Sequence, residues 1–333
     1  MTCPDCDGRH RRAFLKTAAF GAAGIAAARA ASRFTGSSET LVGTLYKSLS
    51  PQQAEKVVFA FDHPLRSKVD ANWKITPFEI AKFFTPDQQA MIAEIFRGLH
   101  NPDFFDKVLY HIQEDGGGLG NYSVALFGEP DKGAFEFVLT GRHCTVRCDG
   151  DANNGAAFGG PMFYGHASQN FNEAPDHPKN VYWYQARRAN EVFQALDGKQ
   201  RAAALLGDPR EEKATATIAL RKPGEAISGL PVAEMKRDQR ELVEKVLADL
   251  LLPFRKKDAD QAMQDIRRNG VEGLTMSFYK NLDIGNDGVW DVWQLESPSM
   301  IWYFRGAPHV HTWVNVRAKA ETARVRLRRL ISA

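Results

Sequence analysis

Two groups of strand-like segments, separated by a long helical stretch, place the strongest constraint on the fold of this chain. The first group consists of YSVALFG, GAFEFVLTGRHCTVRC and GGPMFYG; the second consists of LTMSFYKNLDI, VWDVWQLES, SMIWYFRG and HVHTWVNV. Turn signals separate neighbouring segments, and Gly285-Asn286-Asp287-Gly288 is typical of a hairpin. The sequence therefore predicts an α+β fold in which both groups contribute to a mostly antiparallel sheet flanked by helices.

Helices are predicted ahead of the first strand group and between the two groups. Ser50-Pro51 and Thr85-Pro86 each place a capping residue before a proline at the first helical position. Residues 188–270 return to a helical pattern. Two apolar stripes are expected to pack against the sheet or another helix: Met91, Ile92, Ile95, Phe96 and Leu99, and Val243, Val246, Leu247, Leu250 and Leu251.

The first 30 residues have the layout of an export signal and are excluded from the fold. Arg11-Arg12 is typical of twin-arginine signals, an Ala-rich run follows it, and Ala28-Arg29-Ala30 offers a cleavage site. This pattern predicts the twin-arginine export machinery as a partner and a periplasmic or otherwise exported protein. An uncleaved anchor is the alternative, but the run is weaker than a span of about 20 apolar residues. No later segment of the mature chain is expected to cross a membrane.

The charge balance argues against a nucleic-acid partner. The chain has a formal net charge of +3, and the predicted signal holds five basic and two acidic residues, so its removal brings the charge to zero. The tail, residues 317–333, is the basic exception and is predicted to be a solvated terminal helix, with a partner-binding tail as the alternative. Because the rest of the chain has no basic excess, nucleic acid is not expected to bind.

The cysteines predict neither a disulfide nor a paired zinc motif. Cys3 and Cys6 lie within the predicted signal, and no second pair follows them. A strand would place Cys144 and Cys148 about 13 Å apart, which is beyond disulfide reach. Both are therefore predicted to be small core residues.

His309 and His311 are the first candidates for chemistry. Alternate residues of a strand share a face, so the two histidines lie together with Trp313 and Asn315, while valines occupy the opposite face. Their Cα atoms are then about 7 Å apart, and both imidazoles can bind one metal ion. The valine face is the expected core, which leaves the histidines facing either solvent or a second, polar pocket.

His143 is the candidate for a third ligand. In FEFVLTGRHCTVRC the apolar face changes sides near Gly141, which predicts a β-bulge that re-aims the histidine. The alternative is a core histidine bonded to the backbone. The remaining histidines are weaker candidates: His166 at the same sheet end or in an exposed loop, His63 and His177 before prolines in turns, and His100 and His111 at helix ends, where capping is expected.

The succession of segments resembles a bacterial family that is catalogued as a domain of unknown function and whose members are often exported. The resemblance runs over about residues 45–316 and includes SPQQAEKVVFAFD, TPDQQAMIAEIFRGL, YSVALFGEP, ALDGKQRAA, GLPVAEMKRDQRELVEKVL and YFRGAP. The family's GHH motif matches Gly141-Arg142-His143, and its HxH motif matches His309-Val310-His311. The resemblance implies a single α+β domain over residues 31–316 and makes these three histidines the leading metal ligands.

The chain departs from the family pattern in two places. Arg142 stands where the family has its first histidine, and Asn315-Val316 stands where an Arg-Asp pair follows HxH. If either lost group is a ligand or a catalytic acid, this member has altered or lost activity. The resemblance also makes Glu191 a candidate acid or base, although Glu near a helix start is favoured by the macrodipole whatever the function. Arg305 lies one strand before the histidines and is expected to line the same pocket.

Three imidazoles with an open position suit copper, zinc or iron. The leading hypothesis is therefore an exported metal-dependent enzyme in which Glu191 or Arg305 positions a small-molecule substrate. The alternative is a non-catalytic envelope protein that binds a metal or ligand, or whose histidines are only structural. Phosphate-binding glycine loops, GxSxG and HExxH are absent from the sequence, so a nucleotide cofactor, a serine hydrolase and a zincin are not expected.

Overall fold

The computed structural model describes residues 34–153, 155–167 and 179–320. The predicted export signal, with Cys3 and Cys6, lies outside these residues, as do His177 and residues 321–333 of the tail. Residues 317–320 of the tail are described and are not helical. Within the described ranges, no helix combines the length and the hydropathy needed to span a membrane.

The strands of the described ranges form one eleven-stranded sheet. They are β1 Val58–Phe59, β2 Ser123–Gly128, β3 Phe135–Gly141, β4 Cys144–Cys148, β5 Met162–His166, β6 Leu205–Leu206, β7 Leu230–Pro231, β8 Thr275–Tyr279, β9 Val292–Ser297, β10 Met300–Arg305 and β11 Val310–Val316. The order is β1-β2-β3-β4-β5-β11-β10-β9-β8-β6, with β7 paired to β8. Only β1–β2 and β6–β8 pair in parallel among the described strands. The predicted α+β fold is confirmed, and the two strand groups join where β5 pairs with β11.

The helices of the described ranges cover one face of this sheet. They are α1 Ser38–Ser48, α2 Pro51–Val57, α3 Ile80–Phe83, α4 Pro86–Gly98, α5 Phe105–Gly116, α6 Trp183–Ala195, α7 Gly198–Ala204, α8 Arg237–Leu251 and α9 Lys256–Asn269. Ser50 and Thr85 both form capping boxes ahead of a proline, as predicted, and so satisfy backbone N–H groups at the starts of α2 and α4. The predicted stripes of α4 and α8 are buried in the main core.

The opposite face of the sheet is covered by irregular chain. Phe163 of β5 and Trp313 of β11 pack there against Val69 and Ile218, which belong to two covering segments. Every residue of β11 is buried, so its histidine face and its valine face are both inside the protein. Of the two alternatives for the histidines, the buried polar pocket is the one the structure contains.

The segment around His143 differs from the prediction. A continuous strand with a bulge at Gly141 is wrong, because β3 and β4 form a tight hairpin in which Gly141 pairs with Cys144. The apolar face changes sides there because the chain reverses direction. A side chain at Gly141 would collide with the ring of Tyr122. His143 occupies the turn with φ 51°, a left-handed conformation that is uncommon for residues other than glycine.

Two further local predictions concern the cysteines and the turn at residues 285–288. Cys144 and Cys148 are buried free thiols, as predicted for core residues. The turn lies between β8 and β9, which pair as an antiparallel hairpin. Both strands are shorter than their sequence patterns suggest, so the connection runs over residues 280–291.

Two buried histidines on the helical side predict acid sensitivity. His100 donates from Nδ1 to the Phe96 carbonyl oxygen at 2.7 Å, near the end of α4. Burial lowers the pKa of His100 to about 4, and burial likewise lowers the pKa of His111 to about 4. In the unfolded chain both titrate near pH 6.5.

The folded protein is therefore expected to lose stability as the pH falls from about 6.5 to about 4. In this window the unfolded chain binds protons that the folded state excludes, which costs about 3 kcal/mol for each histidine. Urea unfolding of the wild type and of His100→Gln at several pH values measures the effect. Across this pH range the free energy of unfolding of the variant should fall by about 3 kcal/mol less than that of the wild type. If the two proteins showed the same dependence on pH, the assignment to His100 would be contradicted.

Candidate metal centre

His143, His309 and His311 meet in one buried cluster, called here the histidine centre. Their candidate ligand atoms all lie within 4.8 Å of one another. The Nε2 atoms of His143 and His311 are 3.1 Å apart, and those of His309 and His311 are 2.9 Å apart. The three side chains are only 1%, 4% and 2% exposed, respectively.

Sheet topology brings these distant residues together. His311 lies in β11 and pairs with Gly165 of β5 on one side and with Arg305 of β10 on the other. His309 precedes β11 by one residue. Because β4 is the next strand beyond β5, the β3–β4 turn carries His143 to the same end of the sheet. The His143 backbone N–H donates to the Ala71 carbonyl at 2.9 Å and ties this turn to a covering segment.

Two carboxylates determine which ring nitrogens of the centre carry hydrogen. Asp115, at the end of α5, accepts from Nδ1 of His143. Glu212, on the covering segment after β6, accepts from Nδ1 of His311 at 2.7 Å. Because ionised carboxylates only accept, these contacts place hydrogen on Nδ1 and leave a lone pair on Nε2 of both rings.

The electrostatics favour an ionised Asp115 and neutral imidazoles at His309 and His311. Burial raises the pKa of Asp115, but the neighbouring His143 and Arg142 outweigh it and hold the pKa well below its usual range. Burial, followed by the charge of Arg305, lowers the pKa of His311 well below the ordinary histidine value. Burial and the neighbouring His311 lower the pKa of His309 in the same direction. Burial raises the pKa of Glu212, and the charge of Arg305 opposes that rise.

The spacing of the nitrogens suits a metal ion. Tetrahedral zinc with Zn–N bonds of about 2.0–2.1 Å separates neighbouring ligand nitrogens by about 3.3 Å. The two measured separations, 2.9 and 3.1 Å, lie within a few tenths of an ångström of that value. All three candidate ligand atoms lie within 4.8 Å of one another, so rotation of the rings is needed to bring them to bonding distance together. Neutral imidazoles are also ligands for copper and iron.

Arg305 and Arg142 lie beside the two carboxylates. The Arg305 Nε is 3.3 Å from Oε1 of Glu212, which in turn contacts His311. Arg142 donates from Nε to Asp115 at 2.7 Å. The residue that replaces the family's first histidine thus contacts the carboxylate that orients His143. Arg305 lies where the sequence predicted it, next to the histidine strand.

Glu191 is not brought to the histidine centre. It lies on α6, its side chain is 46% exposed, and its carboxylate pairs with Arg188 at 2.5 Å. Arg188 also pairs with Asp249 of α8 at 2.8 Å. These contacts form an ion-pair network at the protein surface. Such a network has a structural role and is not specific to any function.

The other described histidines are not among the converging ligands, although His111 lines the same small cavity as His143. His166 is buried in β5, with its ring stacked on Tyr182 at 5.8 Å, so the exposed-loop alternative is wrong. His63 caps the short 3₁₀ helix Pro64–Ser67 and accepts from the Leu65 N–H. His111 lies inside α5 beside Tyr182, where it does not cap the helix end.

Sequence reasoning missed Asp115 and Glu212. Asp115 opens the glycine cluster DGGGLGN, and Glu212 lies in the irregular segment GDPREEK. Neither belongs to a periodic pattern or a spaced motif. The only available signal was general, because histidine ligands usually need an acceptor for the second ring nitrogen. That rule predicts an acidic partner without indicating which of many acidic residues supplies it.

Comparisons with known proteins give one match. The family model described as "Protein of unknown function (DUF3500)" matches residues 35–319 of the chain. No curated protein and no solved structure matches it. The matched range includes the whole histidine centre, together with both carboxylates that orient it.

Proposed function

We propose, from the premise that the chain belongs to the DUF3500 family, that it is a metal-dependent enzyme whose active centre is the histidine centre. His143, His309 and His311 would hold one copper, zinc or iron ion through Nε2. Such an ion supplies Lewis-acid chemistry, and copper or iron can also support oxygen chemistry. The substrate is a small molecule, because the centre is buried beneath the covering segments.

One observation carries this proposal: the Nε2 atoms of His143 and His311 lie only 3.1 Å apart. Asp115 and Glu212 accept hydrogen bonds from Nδ1 of His143 and His311. A neutral imidazole carries only one N–H, so neither ring can then donate from Nε2. Facing lone pairs repel unless a proton or a cation lies between them. Burial lowers the pKa of His311 and so disfavours the proton, whereas coordination requires neutral imidazoles.

The surrounding residues have distinct tasks in this proposal. Asp115 and Glu212 hold the imidazoles in the tautomer and orientation that coordination needs. Arg305 places a positive charge beside Glu212, on the side of the centre formed by β10. The aromatic ring of Phe163 packs edge-on against His311 at 5.1 Å and limits the motion of that ligand.

The near-complete burial of the three ligands favours a second candidate, a non-catalytic metal-binding protein. Structural metal sites are closed by protein ligands, whereas catalytic sites keep a position for water or substrate. The described residues provide three histidines within coordinating distance and no fourth ligand of that kind. A fourth position that water or substrate can occupy is what the enzyme requires and the closed binding protein does not.

Titration with Co²⁺ as a coloured substitute for zinc tests the proposal. The chain without its export signal is expected to bind about one Co²⁺ ion with the absorption of a four-coordinate nitrogen-rich site. Water in the fourth position should exchange, and added azide should displace it and shift the spectrum. Cobalt that binds but does not respond to azide would favour the closed binding protein. Absence of any stoichiometric cobalt binding would contradict both candidates.

Export is the second part of the proposal, and it rests on Arg11-Arg12 and the Ala-rich run that follows. The twin-arginine machinery carries folded cargo, so metal insertion can precede export. We expect protein from the envelope fraction to lack about the first 30 residues by intact mass. An Arg11→Lys/Arg12→Lys variant should keep its full mass and remain in the cytoplasm. Full-length wild-type protein found only in the cytoplasm would contradict export.

A further inference from the structure

Arg305 occupies a position that the histidine centre alone does not explain. It ends β10 directly opposite His311 in the antiparallel register, so both side chains lie on the same face of the sheet. Its side chain is 11% exposed. A largely buried guanidinium needs acceptors for its five N–H groups, because unpaired charged donors in the interior are costly.

Those acceptors are incomplete among the described residues. The guanidinium Nε and Nη2 atoms are buried and form no hydrogen bond with any residue that the structure describes. The one ion pair, from Nε to Oε1 of Glu212 at 3.3 Å, lacks hydrogen-bond geometry, and that oxygen is also without a hydrogen bond. The other oxygen of Glu212 is engaged by His311. A planar guanidinium with free donors matches the paired oxygens of a carboxylate.

The charge balance of the centre points in the same direction. Asp115 and Glu212 are balanced by Arg142 and Arg305, and histidine ligands are neutral when they coordinate. A bound divalent ion would therefore leave the buried centre with two excess positive charges. An uncompensated charge in the protein interior is expensive. An anionic ligand beside the ion removes part of this excess.

We infer that Arg305 recognises the carboxylate group of a small anionic ligand that binds at the histidine centre. The inference rests on the proposed function and specifies its substrate class. The Nη2 and Nε donors of Arg305 would bind the ligand's oxygens, while Glu212 continues to orient His311. A small carboxylate is the class proposed because the three histidines are almost fully buried, which disfavours a large ligand.

Formate, the smallest carboxylate, is the probe for this inference. In Co²⁺-loaded protein, formate is expected to shift the cobalt absorption in a saturable manner, and neutral formamide is not. Arg305→Met should weaken formate binding about 10–100-fold, the loss expected for a charge-assisted hydrogen-bonded contact. Arg305→Lys, which keeps the charge but not the planar fork, should give an intermediate affinity. The cobalt stoichiometry of each variant confirms that the centre has folded.

Arg142→Met is the matched control, because it removes an equal charge from the opposite side of the centre. It should change formate affinity much less than Arg305→Met. Equal losses in both variants would show that overall charge determines anion binding and would overturn the assignment to Arg305. Full cobalt loading without any response to formate would overturn it as well, while leaving the metal proposal intact. Failure of the wild type to bind cobalt would remove both.

Discussion

Replacing His309 and His311 together by alanine is expected to abolish stoichiometric metal binding. The double change removes two of the three converging nitrogens and leaves only His143 near the ion. The loss of affinity should exceed the roughly 10–100-fold that follows removal of a residue that merely supports a ligand. Metal titration followed by removal of unbound ion, with elemental analysis of the protein, measures the loss.

Thermal unfolding provides a second measurement of the effect of replacing His309 and His311. A metal present at about 1,000 times its Kd stabilises a folded protein by about 4 kcal/mol, so added metal should raise the Tm of the wild type. The double variant should show no such rise. His63→Ala is the control, because His63 caps a short helix away from the centre. His309→Gln keeps most of the side-chain volume, so it provides the test if the double variant fails to fold. Retained stoichiometric metal in folded double variant would contradict the assignment.

Replacing Asp115 by asparagine is expected to lower metal affinity about 10–100-fold without removing any ligand. An amide can donate to Nδ1 of His143 and so move its hydrogen to Nε2, the atom that must coordinate. The change also weakens the contact with Arg142. Competition with a chelator of known affinity measures the effect.

Asp106→Asn is the matched control for this prediction. Asp106 lies in the first turn of the same helix, α5, and is exposed, so the identical substitution should leave metal affinity unchanged. Glu212→Gln should reproduce the Asp115 effect through His311. If Asp115→Asn and Asp106→Asn bound metal equally well, Asp115 would have only a structural role.

Much of the fold follows from local patterns. Alternation of side chains over short segments identified the strands of both groups. The capping residues Ser50 and Thr85, each followed by proline, identified two helix starts. Both kinds of feature depend on neighbouring residues alone. The tight turn at His143 was missed because it does not follow from the residues of the turn itself. Arg-His is not a typical turn pair, and the left-handed conformation of His143 is imposed by packing around Tyr122 and Ala71.

The centre was predictable only in part. His309 and His311 could be paired because strand geometry fixes their common face, and a third histidine could be sought because coordination needs one. Asp115 and Glu212 could not be identified, because their role depends on where α5 ends and on which loop covers the sheet. Glu191 was singled out by its place in a motif, yet its surroundings are those of a surface ion pair.

The most direct test of the histidine centre is the metal content of the wild-type protein, purified without added metal or chelator. Elemental analysis is expected to find about one equivalent of copper, zinc or iron per chain, retained on gel filtration and absent from the His309→Ala/His311→Ala variant. The predicted result assigns the ion to these histidines. Protein that contains no metal, and takes up none after incubation with each of the three ions, would contradict the account.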